Sequence, residues 1–155
     1  MHETGVCRHI VDTVERYALE GHAKRVTKVN LELGEAHDIV PEILAGAFEW
    51  MCRGTVAQGC ELVIERVPFT VRCQCCGEVY RLDYLDEATW GCPACGQRDY
   101  RLHTGREFSI KSIEVEGYAA GEADKSAERL AALEEARSRR VSPASLAVAG
   151  RRPAA

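Results

Sequence analysis

Four of the chain's eight cysteines form two short knuckles, and this feature constrains the fold more strongly than any other. Cys73 and Cys76 lie three positions apart, Cys92 and Cys95 repeat that spacing, and a glycine directly follows each pair. Two thiolates at this spacing can turn the backbone around one ion, and two such turns supply the tetrahedral sulfur shell that zinc prefers. We therefore predict a zinc site made by these four cysteines.

A closed shell of four thiolates leaves no open position for a substrate, so the predicted zinc is structural. Residues 71–100 are poor in aliphatic side chains, and a short segment of this kind depends on a metal to fold. Iron or redox dithiols are the alternative uses of the knuckles. With Cys73 and Cys76 as the ligands of the first knuckle, Cys75 is a spare thiol. We interpret the remaining cysteines as small core residues. These are Cys7, Cys52 and Cys60.

The rest of the sequence predicts two helices. Residues 3–20 carry apolar side chains at helical spacing, and residues 41–51 do the same behind Pro41, which suits a first helical turn. Asp38 is a candidate cap for the second helix. We expect the first helix to bury Val6, Cys7, Ile10, Val11, Val14, Tyr17 and Ala18. We expect the second helix to bury Ile43, Leu44, Ala47, Phe48 and Met51.

Three stretches alternate between apolar and polar residues as half-buried strands do: 25–33, 60–67 and 108–115. The last slips by one residue at Lys111-Ser112, which suggests a β-bulge. The predicted fold class is α+β, with two helices packed on a three-stranded sheet and an inserted four-cysteine, zinc-ribbon-like domain. The predicted domains are an α/β domain over 1–70 plus 101–116, a zinc-binding domain over 71–100, and an Ala/Arg-rich extension over 117–155. We expect this extension to be partly helical, over 126–140, or disordered.

Composition limits the classes of function. The sequence has no export signal and no apolar run long enough to cross a bilayer, so we expect a cytoplasmic protein without a membrane partner. The formal net charge is −4, and residues 72–101 carry four arginines against five acidic residues, so nucleic acid is not an expected partner. Because the sequence contains no Gly-rich phosphate loop ending in Lys and Ser or Thr, and nothing else indicates catalysis, we expect no enzymatic activity.

The first three residues, Met1, His2 and Glu3, form a second candidate metal site. A large second residue protects the initiator methionine from removal, so His2 should keep its position. The α-amine of Met1, the amide nitrogen of His2 and its imidazole can chelate one ion, and planar nitrogen coordination suits Ni(II) or Cu(II). Glu3 can add a donor or orient the site. The alternative is a solvated terminus that binds no metal.

Together these motifs resemble the HypA family of nickel-iron hydrogenase maturation factors, which includes the HybF type. The resemblance covers residues 1–116. It is carried by Met1-His2-Glu3, Gly54-Thr-Val-Ala-Gln-Gly-Cys60, both cysteine knuckles and Lys111-Ser-Ile-Glu-Val-Glu116.

The resemblance implies a metallochaperone with a nickel-binding α/β domain and an inserted zinc domain. It implies that His2 is the essential ligand for transported Ni(II), with the Met1 amine and Glu3 beside it, and that the four knuckle cysteines hold structural Zn(II). The implied partners are a HypB-type GTPase and the hydrogenase large subunit, and some members also serve urease maturation. His103, just after the second knuckle, is a further candidate nickel ligand.

Two features differ from the family. Residues 4 and 5 are Thr-Gly, where the family usually has a bulky apolar residue and then Ser, and 117–155 exceeds the usual length. The alternative function is a zinc-ribbon protein-interaction module without nickel transfer, and a redox enzyme with paired thiols is a second one. Neither explains the N-terminal motif together with the strand at 111–116.

Overall fold

A computed structural model describes residues 3–140 of the chain, with side-chain environments for residues 4–139. The predictions on Met1, His2, the Glu3 side chain and residues 141–155 lie outside this part. No helix within residues 3–140 is long and apolar enough to cross a membrane. The helices are α1 (Glu3–Glu20), α2 (Pro41–Met51) and α3 (Ser126–Arg140). The strands are β1 (Ala23–Gly34), β2 (Glu61–Val67), β3 (Thr70–Cys73), β4 (Val79–Arg81), β5 (Tyr100–Thr104) and β6 (Phe108–Gly117).

The larger sheet has the order β2-β1-β6, with β1 in the centre. Strand β2 runs parallel to β1 and is reached through α2, because a parallel neighbour requires a crossover connection. Strand β6 pairs antiparallel on the other side. The alternation predicted for β1 is confirmed, since Val29, Leu31 and Leu33 are buried in the main core. The prediction of two helices and a three-stranded sheet is thereby confirmed as well.

Strand β6 contains the predicted bulge. Asn30 of β1 pairs with Ser112, and the next residue, Leu31, pairs with Ile110. Lys111 is therefore the extra residue, and its ammonium group bonds Glu32 at 3.1 Å. The slip in the sequence pattern thus marks the place where the ladder changes register.

Three predictions about the helix surfaces are wrong. Tyr17 is 55% exposed and Ile43 is 56% exposed, because the sheet has only three strands and covers a narrower stripe of each helix than the apolar pattern suggested. Asp38 does not cap α2. It has a φ of 51° and ends the short 3₁₀ turn Glu35–His37, while Val40 precedes α2 without a side-chain cap.

The smaller sheet has the order β4-β3-β5 and contains the cysteine knuckles. Both of its pairings are antiparallel, and it has a small core of its own. That core consists of Val71, Cys73, Tyr80, Leu82 and Cys92, with Phe69 and Trp90 packed against it. The domain limits at 70/71, 100/101 and 116/117 stay a prediction.

Helix α3, which covers the predicted residues 126–140, packs against α1. Its half-buried Leu130 and Leu133 contact the main core, and the buried Ser126 hydroxyl donates to the Ala23 carbonyl. Since Ser126 lies beside Ala23 and Leu133 lines a pocket with Glu15, α3 runs antiparallel to α1.

The segment between β6 and α3 is tied to the start of β1 by one ion pair and one hydrogen bond. Lys24 contacts Glu122 at 2.7 Å, and His22 contacts Asp124 at 2.7 Å. These partners are about a hundred positions apart in sequence, so the two contacts hold the segment before α3 against the beginning of β1.

Candidate metal centre

The four knuckle cysteines lie together at one end of the smaller sheet. Their sulfur atoms are all within 4.8 Å of one another, and this is the only group of three or more potential metal ligands within residues 3–140. The sulfurs of Cys73 and Cys95 are 3.6 Å apart, and those of Cys76 and Cys92 are 3.5 Å apart. A tetrahedron with zinc–sulfur bonds of 2.3 Å has edges of about 3.8 Å, so the cluster fits a structural zinc site.

The two knuckles share one backbone design. In the first, the Cys73 amide donates to the Glu78 carbonyl and the Gly77 amide donates to the Cys73 carbonyl. In the second, Cys92, Gln97 and Gly96 repeat both bonds at 2.9 Å and 2.7 Å. Gly77 and Gly96 have φ values of 80° and 74°, so the glycine after each pair permits the left-handed turn that folds the chain back around the sulfurs.

Strand pairing holds the knuckles against each other. Cys73 ends β3 opposite Tyr100 of β5, and the Gln74 amide donates to the Asp99 carbonyl at 2.9 Å. Cys73 and Cys92 are buried, whereas Cys76 and Cys95 are exposed. The cluster therefore has one side in the small core and one side toward solvent.

The surroundings move the pKa values of Cys73 and Cys95 in opposite directions. The Cys76 amide donates to the Cys73 sulfur and is the main cause that lowers the pKa of Cys73 to about 7. The Gln97 amide donates to the Cys95 sulfur and by itself lowers the pKa of Cys95. Desolvation and the neighbouring thiols have a larger, opposite effect and raise the pKa of Cys95 to about 12. A divalent cation among the sulfurs stabilises all four thiolates, so metal binding is coupled to proton release.

The other cysteines lie apart from this centre. Cys7 and Cys52 are buried in the main core and Cys60 is half-buried beside it, as predicted for small core residues. Cys75 is exposed and does not belong to the four-sulfur group.

The histidines are distributed over several elements. His103 is exposed in β5, and His22 pairs with Asp124 at the end of α1. His9 and His37 line one cavity beside the first turn of α1, together with Gly5. Because His9 and His37 are distant in sequence and belong to no common motif, the sequence gives no indication that they share this cavity.

A second feature missed at the sequence level joins the two sheets. The carboxylate of Glu35 accepts from the Phe69 amide at 3.0 Å and from the Arg81 guanidinium at 3.0 and 3.1 Å. Next to it, the backbones of Gly34 and Gly105 touch so closely that a Cβ on Gly34 would lie 2.0 Å from the Gly105 oxygen. Glu35, Gly34 and Gly105 thus fix the smaller sheet to the end of β1.

Comparison with known proteins identifies the family to which this sequence is similar. A profile of the family described as "Hydrogenase/urease nickel incorporation, metallochaperone, hypA" matches residues 1–115. The hydrogenase maturation factor HybF of Escherichia coli strain K12 is 38% identical over 116 residues, which cover 75% of this chain and 100% of HybF. The hydrogenase maturation factor HypA of Geobacter sulfurreducens is 38% identical over 117 residues, with the same coverage of both chains.

Solved structures agree on the fold. The solution structure of the Ni metallochaperone HypA from Helicobacter pylori matches with a TM-score of 0.52 at 22% identity, over 76% of this chain and 100% of that one. A second solution structure of a HypA protein matches with a TM-score of 0.57 at 23% identity, over 76% of this chain and 98% of that one.

These relatives and the four-cysteine centre define the class of protein as a metal-handling maturation factor. The chain belongs to the HypA family of hydrogenase and urease nickel-incorporation metallochaperones. Membership favours the metallochaperone interpretation over a zinc-ribbon interaction module. The family match ends at residue 115, so α3 lies beyond it.

Proposed function

We propose that this chain binds Ni(II) at its N-terminus and delivers it to the large subunit of a nickel-iron hydrogenase during maturation. The observation that carries the proposal is the family match over residues 1–115, which includes the Met1-His2-Glu3 start. The cargo is Ni(II), and the chain itself performs no catalysis.

In the proposed site, the Met1 amine, the His2 amide nitrogen and the His2 imidazole chelate nickel in fused rings, with Glu3 as the neighbouring residue. Nitrogen-rich planar coordination is a geometry that Ni(II) favours. A chelate on the first residues of the chain can be approached by a partner that offers competing ligands, as release of the cargo requires. His103, exposed in β5, stays a candidate for an additional ligand.

We assign Cys73, Cys76, Cys92 and Cys95 as the ligands of a resident structural Zn(II). When bound, zinc cross-links the two knuckles and neutralises their thiolates. A closed sulfur shell of this kind has no position for nickel chemistry, so the metal that stays and the metal that is passed on occupy different parts of the chain.

The proposed partners are a HypB-type GTPase and the hydrogenase large subunit, with urease maturation proteins as further recipients, all in the cytoplasm. The family description, which names both hydrogenase and urease, supports this assignment. Nucleotide hydrolysis belongs to the GTPase, because this sequence contains no phosphate-binding loop.

Nickel titration by calorimetry tests the proposal, using zinc-loaded protein that starts at Met1 with no added residues. We expect one Ni(II) per chain, and we expect His2→Ala to abolish binding while the zinc content stays the same. His22→Ala is a matched control, because His22 pairs with Asp124 far along the chain. Equal nickel binding by wild type and His2→Ala would refute the proposal and favour the zinc-ribbon interaction module.

A further inference from the structure

Two cysteines outside the metal centre lie side by side where α2 ends and β2 begins. Cys52 follows the last residue of α2, and its amide donates to the Phe48 carbonyl at 2.9 Å. Cys60 directly precedes β2, which starts at Glu61. The two side chains are hydrogen-bonded, with the Cys52 thiol donating to the Cys60 sulfur. The pair therefore links the end of a helix to the beginning of a strand.

The short loop between the two cysteines holds them together. The Cys52 carbonyl accepts from the amide and from the hydroxyl of Thr55, at 3.0 and 2.7 Å. At the other end of the loop, the Cys60 amide donates to the Ala57 carbonyl at 3.1 Å. Gly54 has a φ of 77°, so the residue after Arg53 permits the left-handed turn that brings the chain back. Both sulfurs are thus carried by a loop with hydrogen bonds at each end.

The two thiols differ in their access to solvent. Cys52 is buried in the main core, whereas Cys60 is half-buried beside it. Cys60 also lines an open cavity of about 300 Å³. The other residues around this cavity are Ala45, Phe48, Glu49, Gly59 and Leu62. A small molecule can therefore reach the Cys60 sulfur from solvent, while the Cys52 sulfur stays in the core.

The hydrogen bond also separates the chemistry of the two sulfurs. Because the Cys52 thiol donates to it, the pKa of Cys60 lies below the ordinary thiol value, although burial acts in the opposite direction. The same hydrogen bond, followed by burial, raises the pKa of Cys52. The thiolate is the nucleophilic form of cysteine. Cys60 is therefore the sulfur that ionises first, and Cys52 is the sulfur that keeps its proton.

Two adjacent thiols fit sulfur–sulfur chemistry better than metal binding. Cys7 is the third thiol of the main core, but within residues 3–140 only the four knuckle sulfurs form a group of three or more potential ligands. Structural zinc takes four ligands, so this pair is not a second zinc site. An accessible thiol of lowered pKa beside a second thiol that can resolve it is the usual arrangement of a redox-sensitive pair.

We propose that Cys52 and Cys60 form a reversible redox pair that closes to a disulfide when Cys60 meets hydrogen peroxide. The Cys60 thiolate attacks one peroxide oxygen and the O–O bond breaks. Cys60 becomes a sulfenic acid, and the other oxygen takes a proton and leaves as water. The Cys52 sulfur then attacks the Cys60 sulfur, the S–S bond forms, and the S–O bond breaks to release a second water. The two thiols lose two electrons and two protons, and the peroxide is reduced to two waters.

The pair and the zinc centre share no cysteine. The disulfide would join the end of α2 to the start of β2, which is an outer strand of the larger sheet. The knuckles belong to the smaller sheet, so oxidation of the pair should leave zinc in place.

Tryptic mapping of zinc-loaded protein after exposure to hydrogen peroxide tests the inference. Arg53 lies between the two cysteines, so trypsin places Cys52 in peptide 29–53 and Cys60 in peptide 54–66. The exposed Cys75 is replaced by Ser throughout, and free thiols are alkylated before digestion. We expect these two peptides to be cross-linked, lighter than their sum by two hydrogen atoms, and separated by dithiothreitol. The denatured protein should lose two free thiols, with its zinc content unchanged.

Three variants assign the roles of the sulfurs. In Cys52→Ala, the sulfenic acid at Cys60 has no resolving thiol, so dimedone should trap it. Cys60→Ala should give neither the cross-link nor a dimedone adduct at Cys52. Cys7→Ala is the matched control, because Cys7 is a buried thiol of the same core, and it should form the cross-link as wild type does. Unchanged thermal unfolding of the reduced variants shows that the fold is intact.

Peptides 29–53 and 54–66 that stay separate in the oxidised protein would overturn the inference without any further variant. Loss of zinc before the cross-link appears, or a bond from Cys52 to Cys7 in its place, would overturn it as well. None of these measurements involves nickel, so the redox pair and the proposed nickel site are tested independently.

Discussion

Gly34→Ala should strongly destabilise the connection between the two sheets. Gly34 has a φ of −71°, which any residue adopts, so the effect comes only from space. A Cβ there would lie 2.0 Å from the Gly105 oxygen and 2.8 Å from the Arg106 nitrogen. Both neighbours are backbone atoms and cannot rotate away, so the two segments must separate by about 1.4 Å to bring the 2.0 Å approach to an ordinary contact.

Two backbone hydrogen bonds oppose that separation. The Gly34 amide donates to Glu107 at 2.7 Å, and the Ala36 amide donates to Gly105 at 2.8 Å. Overpacking costs about 1–3 kcal/mol, and each weakened hydrogen bond adds about 0.5–1.5 kcal/mol. We expect Gly34→Ala to lower the free energy of unfolding by about 2–6 kcal/mol, a large part of the roughly 5–15 kcal/mol typical of a domain.

Urea unfolding of zinc-loaded protein, followed by circular dichroism and by zinc release, measures this change. Gly46→Ala is the matched control, because Gly46 lies inside α2 and its added Cβ meets nothing within 4 Å. There, alanine should stabilise the protein by about 0.5–1 kcal/mol through its higher helix propensity. A Gly34→Ala variant within about 0.5 kcal/mol of wild type, the usual scatter of surface substitutions, would refute the close backbone contact.

Three further predictions address other parts of the molecule. Leu133→Ala should lower the free energy of unfolding by about 1–2 kcal/mol, because Leu133 is half-buried where α3 meets the core. Unchanged stability in thermal or urea unfolding would mean that α3 does not pack against the core. Cys92→Ser should reduce the zinc content measured with a chromogenic chelator, whereas Cys75→Ser should leave one zinc per chain; equal zinc in both variants would remove Cys92 from the ligand set. Lys111, followed by Ser109, lowers the pKa of Glu32, so this carboxylate stabilises the fold above the unfolded value of about 4.3 and the contribution disappears as pH falls through the folded pKa. Glu32→Gln should therefore flatten the acid side of the stability–pH curve, and identical curves would show that the pair contributes nothing.

Features with local sequence causes could be predicted. The buried side of β1 follows from strict alternation, the bulge in β6 follows from the slip in alternation at Lys111-Ser112, and the knuckles follow from cysteine spacing with glycine. In each case one short stretch of sequence contains all the information that the structure uses. The four-cysteine cluster in particular forms as its spacing predicts.

The remaining features depend on which segments meet. Tyr17 and Ile43 fit an apolar pattern, but the pattern does not state how wide the covering sheet is. The Glu35–Arg81 pair joins residues 46 positions apart, and the contact of Gly34 with Gly105 has no marker except two glycines. His37 reaches the cavity beside α1 only because the turn after β1 folds toward that helix.

The direction of α3 has a practical consequence for fusion proteins. If the amine of Met1 binds nickel, affinity tags and fluorescent partners have to be attached at the C-terminus. Helix α3 starts beside Ala23 and returns along α1, so it carries the chain for about 21 Å toward the N-terminal half of that helix. A fusion partner joined directly after α3 would therefore be placed on the same side of the molecule as the N-terminal half of α1. A truncation after β6, or a long linker after α3, would keep that side open.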